Sequence, residues 1–470
     1  MLPIVKFPEI VEQYASWFSS VFSDEALIEF KRYVSGLILA ENKTVEGINR
    51  IIVCEQRNQS SLNRLLTESP FSEKELNEKR LALLNSLPET RMKAGKGVLG
   101  LDDTLLGHYG QHFEEIANLW DSANECWTWA HNLVNLYYSD DQTDYPVQWQ
   151  LWKPADLAKI ETGLVAAGIK LKTSQFVFKE SDPKKWRQYL LGVWSRHQTQ
   201  DNVAALYESK LFIARQILGE WVKTNPNLHL PVTFDHWYTQ PCFCRFLGDE
   251  LKLRYVGTLS DDNKIFRKNA LTRLDVFAEQ LKKEHFQSIE KGGSPLFQQI
   301  TISHKGEKES YYSYCRTLRV HNFGKQRVVI NFRKPDLSDS PVFYNSNCLH
   351  WQSTGITRIR RHRWPVEVYH QEGKAEGLDK YQVRDFQAIS RHIALVAVTF
   401  SLLRAAPHDQ TLLHKLHAQL KLDLEATTAG WRRISLADSL VSLASLIATG
   451  LAQNQPLHQI LRPLLTAICA

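Results

Sequence analysis

Arg363, Glu367, Gln371 and Lys374 stand at offsets of −4, 0, +4 and +7, which places all four on one face of a helix. A metal-holding carboxylate with a guanidinium one turn before it and an ammonium two turns after it suits a scissile phosphate, because the cations can grip the neighbouring phosphates. The plain alternative is a surface ladder of ion pairs in which Glu367 is shared by Arg363 and Lys374. Two more acids, Asp103 and Asp235, each end an apolar run that reads as a strand. They lie 132 residues apart, with Glu367 another 132 beyond. Three acids at the ends of structural elements can share one metal site, since like charges held together need a cation between them. Their oxygens suit Mg2+ or Mn2+, and two such ions can clamp the attacking and leaving oxygens of a phosphoryl transfer.

The elements that must carry these acids follow from periodicity. KGVLGLDDTLL reads as a strand that stops at its two carboxylates, and WTWAHNLVNLYYSD and YPVQWQLWKP as two more strands. A long helix at DNVAALYESKLFIARQILGEWVKT precedes NLHLPVTFDHWY, a buried run that again ends in Asp. This order makes a mixed α/β layer. Residues 5–95 read as helices, with Ser72 and Glu75 spaced as a capping box. The stretch 41–71 fits either a helix-turn-helix reader of DNA or part of a plain bundle. From 251 to about 340 strand-like runs surround a helical ALTRLDVFAEQLKKEHFQSI, and helical patterns return from 364 to the C-terminal end.

Charge is unevenly spread. The net charge is +6, but residues 251–370 carry +10, residues 371–470 carry +2 and residues 1–250 carry −6. A basic block in a near-neutral chain fits a polyanionic partner or a solvated surface. Arg358, Arg360, Arg361, His362 and Arg363 lead into the Glu367 helix and suggest a phosphate-backbone track. Trp351 and Tyr344 precede them, suited to core packing or to stacking on an extruded base. His108 and His112 fall among glycines, so a turn is expected there rather than a metal-binding helix. Seven scattered cysteines, of which only Cys242 and Cys244 are close, favour reduced thiols over structural zinc. There is no phosphate-binding glycine loop, so ATP is not implied. No basic-then-apolar leader and no run of eighteen uncharged apolar residues is found, so a cytoplasmic location away from membranes is expected.

Taken in order, these segments resemble bacterial insertion-sequence transposases of the DDE class, whose third acid lies in an R-x3-E-x6-K signature. Arg363-Trp364-Pro365-Val366-Glu367 with Lys374 matches that spacing in full. The DDT at Asp102, Asp103 and Thr104 resembles the family's first-acid motif and VTFDHWY its second, and the resemblance spans roughly residues 40–405. It implies an α/β fold, a ribonuclease-H-like catalytic core with an inserted subdomain between N-terminal and C-terminal helical regions. The divisions implied are a helical DNA-binding domain at 1–95, core at 96–250, basic insertion at 251–345, core again at 346–405 and a helical region at 406–470.

The resemblance further implies that Asp103, Asp235 and Glu367 are catalytic and hold two Mg2+ ions, with Mn2+ able to substitute and Asp102 the less favoured ligand. DNA contacts are expected from Arg358, Arg360, Arg361, Arg363, Lys374 and Trp351. The tyrosine that relatives carry three residues before the arginine is replaced here by Arg360, and residues 270–288 read as helix where relatives use strands. The implied activity is cut-and-paste transposition: water cuts one strand at the element's end, and the freed 3′-hydroxyl attacks in turn, by way of a hairpin in relatives. No Ser or Cys nucleophile is needed. Partners would be terminal inverted repeats, target DNA and a second copy of the chain in a bacterial, nucleoid-associated setting. A nuclease without strand transfer, or an inert domesticated DNA-binding protein, are the other readings.

Overall fold

The computed structural model describes residues 2–267, 270–422, 424 and 427–469. Five helices precede the first strand: α1 (Glu9–Ala15), α2 (Asp24–Leu39), α3 (Val45–Ile51), α4 (Gln59–Thr67) and α5 (Glu73–Ser86). Four are started by polar side chains that accept an otherwise orphaned N–H; Ser72 Oγ accepts from the Glu75 amide at 3.3 Å.

The sheet begins with β1 (Val98–His108), β2 (Ala117–Asp121), β3 (Cys126–Ser139) and β4 (Asp144–Trp152). Between β4 and the next strand lie α6 (Leu157–Ala166), α7 (Phe178–Ser181), α8 (Pro183–His197), α9 (Asp201–Ala204) and α10 (Lys210–Thr224). Then come β5 (Val232–Phe234), α11 (Pro241–Arg245) and β6 (Tyr255–Leu259). β3 runs antiparallel to both β4 and β1, while β5 and β6 run parallel to β1, giving the order β4-β3-β1-β5-β6. This is the ribonuclease-H-like core, flanked by helices.

Three expectations change here. β1 does not stop at its carboxylates: it pairs with β3 from Val98↔Ser139 to His108↔Trp129, and that ladder carries the strand past the acids. His108 is therefore the last residue of a strand, its ring 4.3 Å from Tyr381 and 4.5 Å from Phe113. The long helix expected over 201–224 is broken, because Ser209 Oγ caps a new helix by accepting from the Phe212 amide. Residues 153–200, without a clear period in sequence, fold into helices around Ile160, Leu164, Trp186, Leu190 and Val193.

The insertion consists of β7 (Lys264–Arg267), β8 (Ala270–Arg273), α12 (Leu274–Glu290), β9 (Gln298–His304), β10 (Glu307–Val320) and β11 (Gly324–Phe332), and β12 (Val342–Ser346) leads back. It extends the core sheet rather than standing apart. β12 pairs with β6, and β11, β10, β7 and β8 follow in one twelve-stranded sheet. β6, which follows the expected boundary at 250, pairs in parallel with β5. Leu274, Phe277 and Leu281 of α12 pack on Ile330 and Phe332 of this extension, so the expected helix forms beside strands.

The chain closes with α13 (Ser353–Arg361), α14 (Trp364–Ala375), α15 (Phe386–Ala405), α16 (Gln410–Leu420), α17 (Thr428–Ala452) and α18 (Leu457–Cys469). α15 is the buried axis on which the N-terminal helices pack: Tyr33 Oη lies 2.8 Å from His392 Nδ1, and Arg80 donates to Ser401 Oγ at 2.8 Å. α15 and α17 are long and apolar enough to cross a membrane by length and composition; α15 is largely buried, whereas α17 exposes leucines. Polar residues scattered through both hide them from a search for uninterrupted apolar runs. Cys54, Cys126, Cys242, Cys244, Cys315 and Cys348 are free thiols, and the side chain of Cys469 lies outside those described.

Candidate active site

Successive residues of a strand point to opposite faces, so Asp102 and Asp103 cannot both look into one site. The parallel pairing Leu99↔Val232, Gly100↔Thr233 and Leu101↔Phe234 sets Asp102 next in line with Asp235. Gly100 shares Asp102's face, and a Cβ built on it would lie 3.7 Å from the His362 carbonyl oxygen and 3.8 Å from Arg363 Cα. The α13–α14 junction therefore lies over this face. Arg363 Nη1 donates to Asp102 Oδ2 at 2.5 Å, and its Nη2 donates to Glu367 Oε1 one turn along α14. Asp235 follows β5 directly, and its Oδ1 accepts from the backbone N–H groups of Trp237 and Tyr238 at 3.0 and 3.2 Å. One guanidinium thus joins two acids, and the third stands in register beside the first.

The electrostatics agree with that grouping. Burial pushes the Asp102 carboxyl up to about 7; Arg363 opposes this, while Asp235 and Asp103 add to it. Arg360 is buried in the same group, its Nε donating to Thr258 Oγ1 at 2.8 Å and its guanidinium 5.8 Å from the Tyr344 ring. Burial pulls its pKa down to about 10, helped by Arg363 and resisted by Tyr344, Asp102 and Asp235.

Asp103 faces the other way, and its oxygens are occupied. Oδ1 accepts from Tyr238 Oη at 2.9 Å, and Oδ2 accepts from Asn132 Nδ2 at 2.7 Å and Lys210 Nζ at 2.9 Å. Burial, and then Asp103 itself, keep the Tyr238 phenol protonated. The structure thus sets Asp102, and not Asp103, next in register with Asp235 and joins it through Arg363 to Glu367. Strand alternation and the β1–β5 register place Asp102, where Asp103 was expected, beside Asp235.

The basic run is more internal than its composition suggests. Arg358 pairs with Asp141 and Arg361 with Glu309, Arg360 is buried, and Arg363 is held by two acids. Trp351 is half-buried below the Arg254 guanidinium, and its carbonyl accepts from Arg327 Nε at 2.9 Å. Lys374, two turns beyond Glu367, forms no ion pair among the described residues. Residues that the sequence did not single out complete the site. His370 Nε2 lies 3.1 Å from Asn135 Nδ2, and β1 pairs Asn135 with Asp102. Buried Asp144 accepts from Tyr137 Oη at 2.6 Å and from Arg404, which also reaches Glu372 of α14.

Among the described residues no group of three or more His, Cys, Asp or Glu side chains is already drawn together around one point. The Arg363 guanidinium occupies the counter-ion position between Asp102 and Glu367. The donor set nevertheless fits a hard divalent cation: three carboxylates, one of them raised by burial and like charge in the way a bound cation would relieve.

A family model described as "DDE superfamily endonuclease" matches residues 18–273, more than half of the chain. The match contains Asp102, Asp103 and Asp235 and stops before α14. Among solved structures the chain is similar to the piggyBac transposase synaptic complex with hairpin DNA seen by cryo-electron microscopy. The identity is 12%, the coverage 92% of this chain and 77% of that one, and the TM-score 0.36. No curated protein matches the chain.

Proposed function

The chain belongs to the DDE superfamily of endonucleases, and on that footing we propose that it is a DNA transposase of a bacterial insertion sequence, cutting at terminal inverted repeats and joining the freed 3′ ends to target DNA. The observation that carries this reading is that Asp102 stands next in register with Asp235 and is joined through Arg363 to Glu367. Asp102, Asp235 and Glu367 would hold two Mg2+ ions, which Mn2+ can replace. When bound, such ions supply Lewis-acid activation of the attacking oxygen and neutralise charge on the phosphate.

The chain's own groups do the positioning. Arg363 changes partners, passing from the two acids to the phosphate beside the cut, for which its forked donors are shaped. Lys374 holds a phosphate two helical turns further along. Asp235 is kept in orientation by two backbone N–H groups on Oδ1, and its Oδ2, 3.9 Å from His236 Nδ1, is the oxygen turned to the ion. Water and then a 3′-hydroxyl serve as oxygen nucleophiles for successive in-line transfers, so one site suffices for cutting and joining. A second copy of the chain pairs the two DNA ends. The exposed leucines of α17 and α18, among them Leu436, Leu440, Leu451 and Leu457, offer an apolar strip for that contact. The setting is the bacterial cytoplasm, on the nucleoid.

The test is incubation with duplex DNA carrying the element's own ends, in Mg2+ and in EDTA, for the unaltered chain and Glu367→Gln. Nicking at the repeat boundary that vanishes in EDTA and in the variant is expected, followed by joined products when target DNA is supplied. Nicking without joined products would reduce the activity to that of an endonuclease. Binding without nicking in either protein would contradict the catalytic reading.

A further inference from the structure

The helices between β4 and α10 serve neither the sheet nor the helical flanks, and their charge is unlike that of their surroundings. Between Lys96 and Lys153 there is no Lys or Arg, against nine Asp and Glu; from 157 to 204 there are eight Lys and Arg against four Asp and Glu. Lys179 and Lys185 have acid partners, Glu161 and Asp182. Among the described residues Lys159, Lys170, Lys172, Lys184, Arg187 and Arg196 form no ion pair, and all but the half-buried Arg187 are exposed. A module closed around its own apolar core gains nothing in folding from this surplus, whereas a polyanion would.

Its position is as informative as its charge. Lys184, in the first turn of α8, lies 5.1 Å from the ring centre of Trp127. Trp127 meets Trp120 edge-to-face at 5.7 Å near the tip of the β2–β3 hairpin, and both are at least half exposed. At the turn of that hairpin, Asp121 is held below the ordinary carboxyl range, chiefly by the Asn124 amide and in small part by Lys374 of the catalytic helix. Nearer the acids, Lys210 lies 4.3 Å from the exposed ring of Trp237. Trp129 pairs with His108, six residues past Asp102, and Trp127 lies two further out. At about 3.3 Å per residue this is about 26 Å, or about eight base pairs of duplex.

We propose that the helical module 157–204, together with the tryptophans of the β2–β3 hairpin, is a clamp for the phosphate backbone of the DNA being cut, acting about eight base pairs from the scissile bond. The proposal rests on the reading of the chain as a DNA-cutting enzyme. Exposed lysines supply the charge, and the Trp127 ring holds the Lys184 side chain over its face at a fixed height above the hairpin.

The experiment uses the full chain and a fluorescein-labelled duplex of about 40 base pairs of arbitrary sequence, with Kd followed from about 50 to about 200 mM NaCl. The substitutions Lys170→Gln, Lys172→Gln, Lys184→Gln and Arg196→Gln are combined in one variant; all four positions are exposed, so its thermal unfolding should match that of the unaltered chain. Binding weakened at least tenfold, with the slope of log Kd against log salt reduced by about 3.6, is expected, since each of the four lost phosphate contacts removes about 0.9. Trp127→Ala should weaken binding by about threefold, the share of one exposed cation–aromatic contact. An unchanged Kd and slope in the fourfold variant would overturn the clamp while leaving the enzyme reading intact. Absence of salt-dependent binding by the unaltered chain would overturn both.

Discussion

The two faces of β1 differ by a single step along the chain and by everything around them. On one, Asp102 stands in register with Asp235 under a guanidinium that also holds Glu367. On the other, Asp103 is closed off by a phenol, an amide and an ammonium. The first face has carboxylates in excess and one cation bridging them, so it can accept another cation and a phosphate. The second has every oxygen satisfied, so it can only hold the structure still. Adjacent identical side chains thus meet opposite surroundings because a strand alternates, and their order in the sequence carries no information about which is which.

The comparison is broken most severely by exchanging the acids. Asp102→Asn should lower strand cleavage about 10³-fold or more with DNA binding retained, whereas Asp103→Asn should cost roughly tenfold, through movement of Tyr238 and Lys210. Arg363→Lys should lower cleavage about 10²-fold in single-turnover nicking, because a point charge cannot bridge two carboxylates or grip a phosphate as a fork does. On the opposite face the larger signal is stability. Lys210→Met leaves the Asp103 carboxylate short of its cation and should cost about 1–3 kcal/mol in urea unfolding. The double change with Asp103→Asn should cost less than the two separately, because the pair acts as a unit.

The smallest effect concerns protons. Burial pulls His362 and His370, both under the Asp102 face, down to about 3. Their folded values lie below the unfolded value of about 6.5, so the unfolded chain binds more protons between these limits. Their contribution is complete above about pH 6.5 and is lost as pH falls toward 3. Each should cost about 1 kcal/mol of unfolding free energy on going from pH 7 to 5.5, and His370→Gln should flatten that slope by its share.

Much of the fold was legible because it is local. The N-terminal helices follow their apolar spacing, Ser72 caps α5 as its spacing with Glu75 predicts, and Arg363 meets Glu367 because residues four apart on a helix are neighbours. What escaped depends on partners distant in sequence. β1 continues past its acids because β3 pairs with it throughout, and β6 joins the core through β5 although it begins the basic block. The choice between Asp102 and Asp103 needs the β1–β5 register, for which the sequence holds no local signal. The helices of 157–204 have short, interrupted apolar faces that make sense only around their shared core.

The two faces of β1 differ most sharply in which of them takes a divalent ion. Mn2+ binding, followed by the loss of the free-ion electron paramagnetic resonance signal, measures this without DNA or turnover. The unaltered chain and Asp103→Asn should bind Mn2+ alike, and Asp102→Asn should lose that binding. Binding that survives in Asp102→Asn and disappears in Asp103→Asn would contradict the assignment of the two faces.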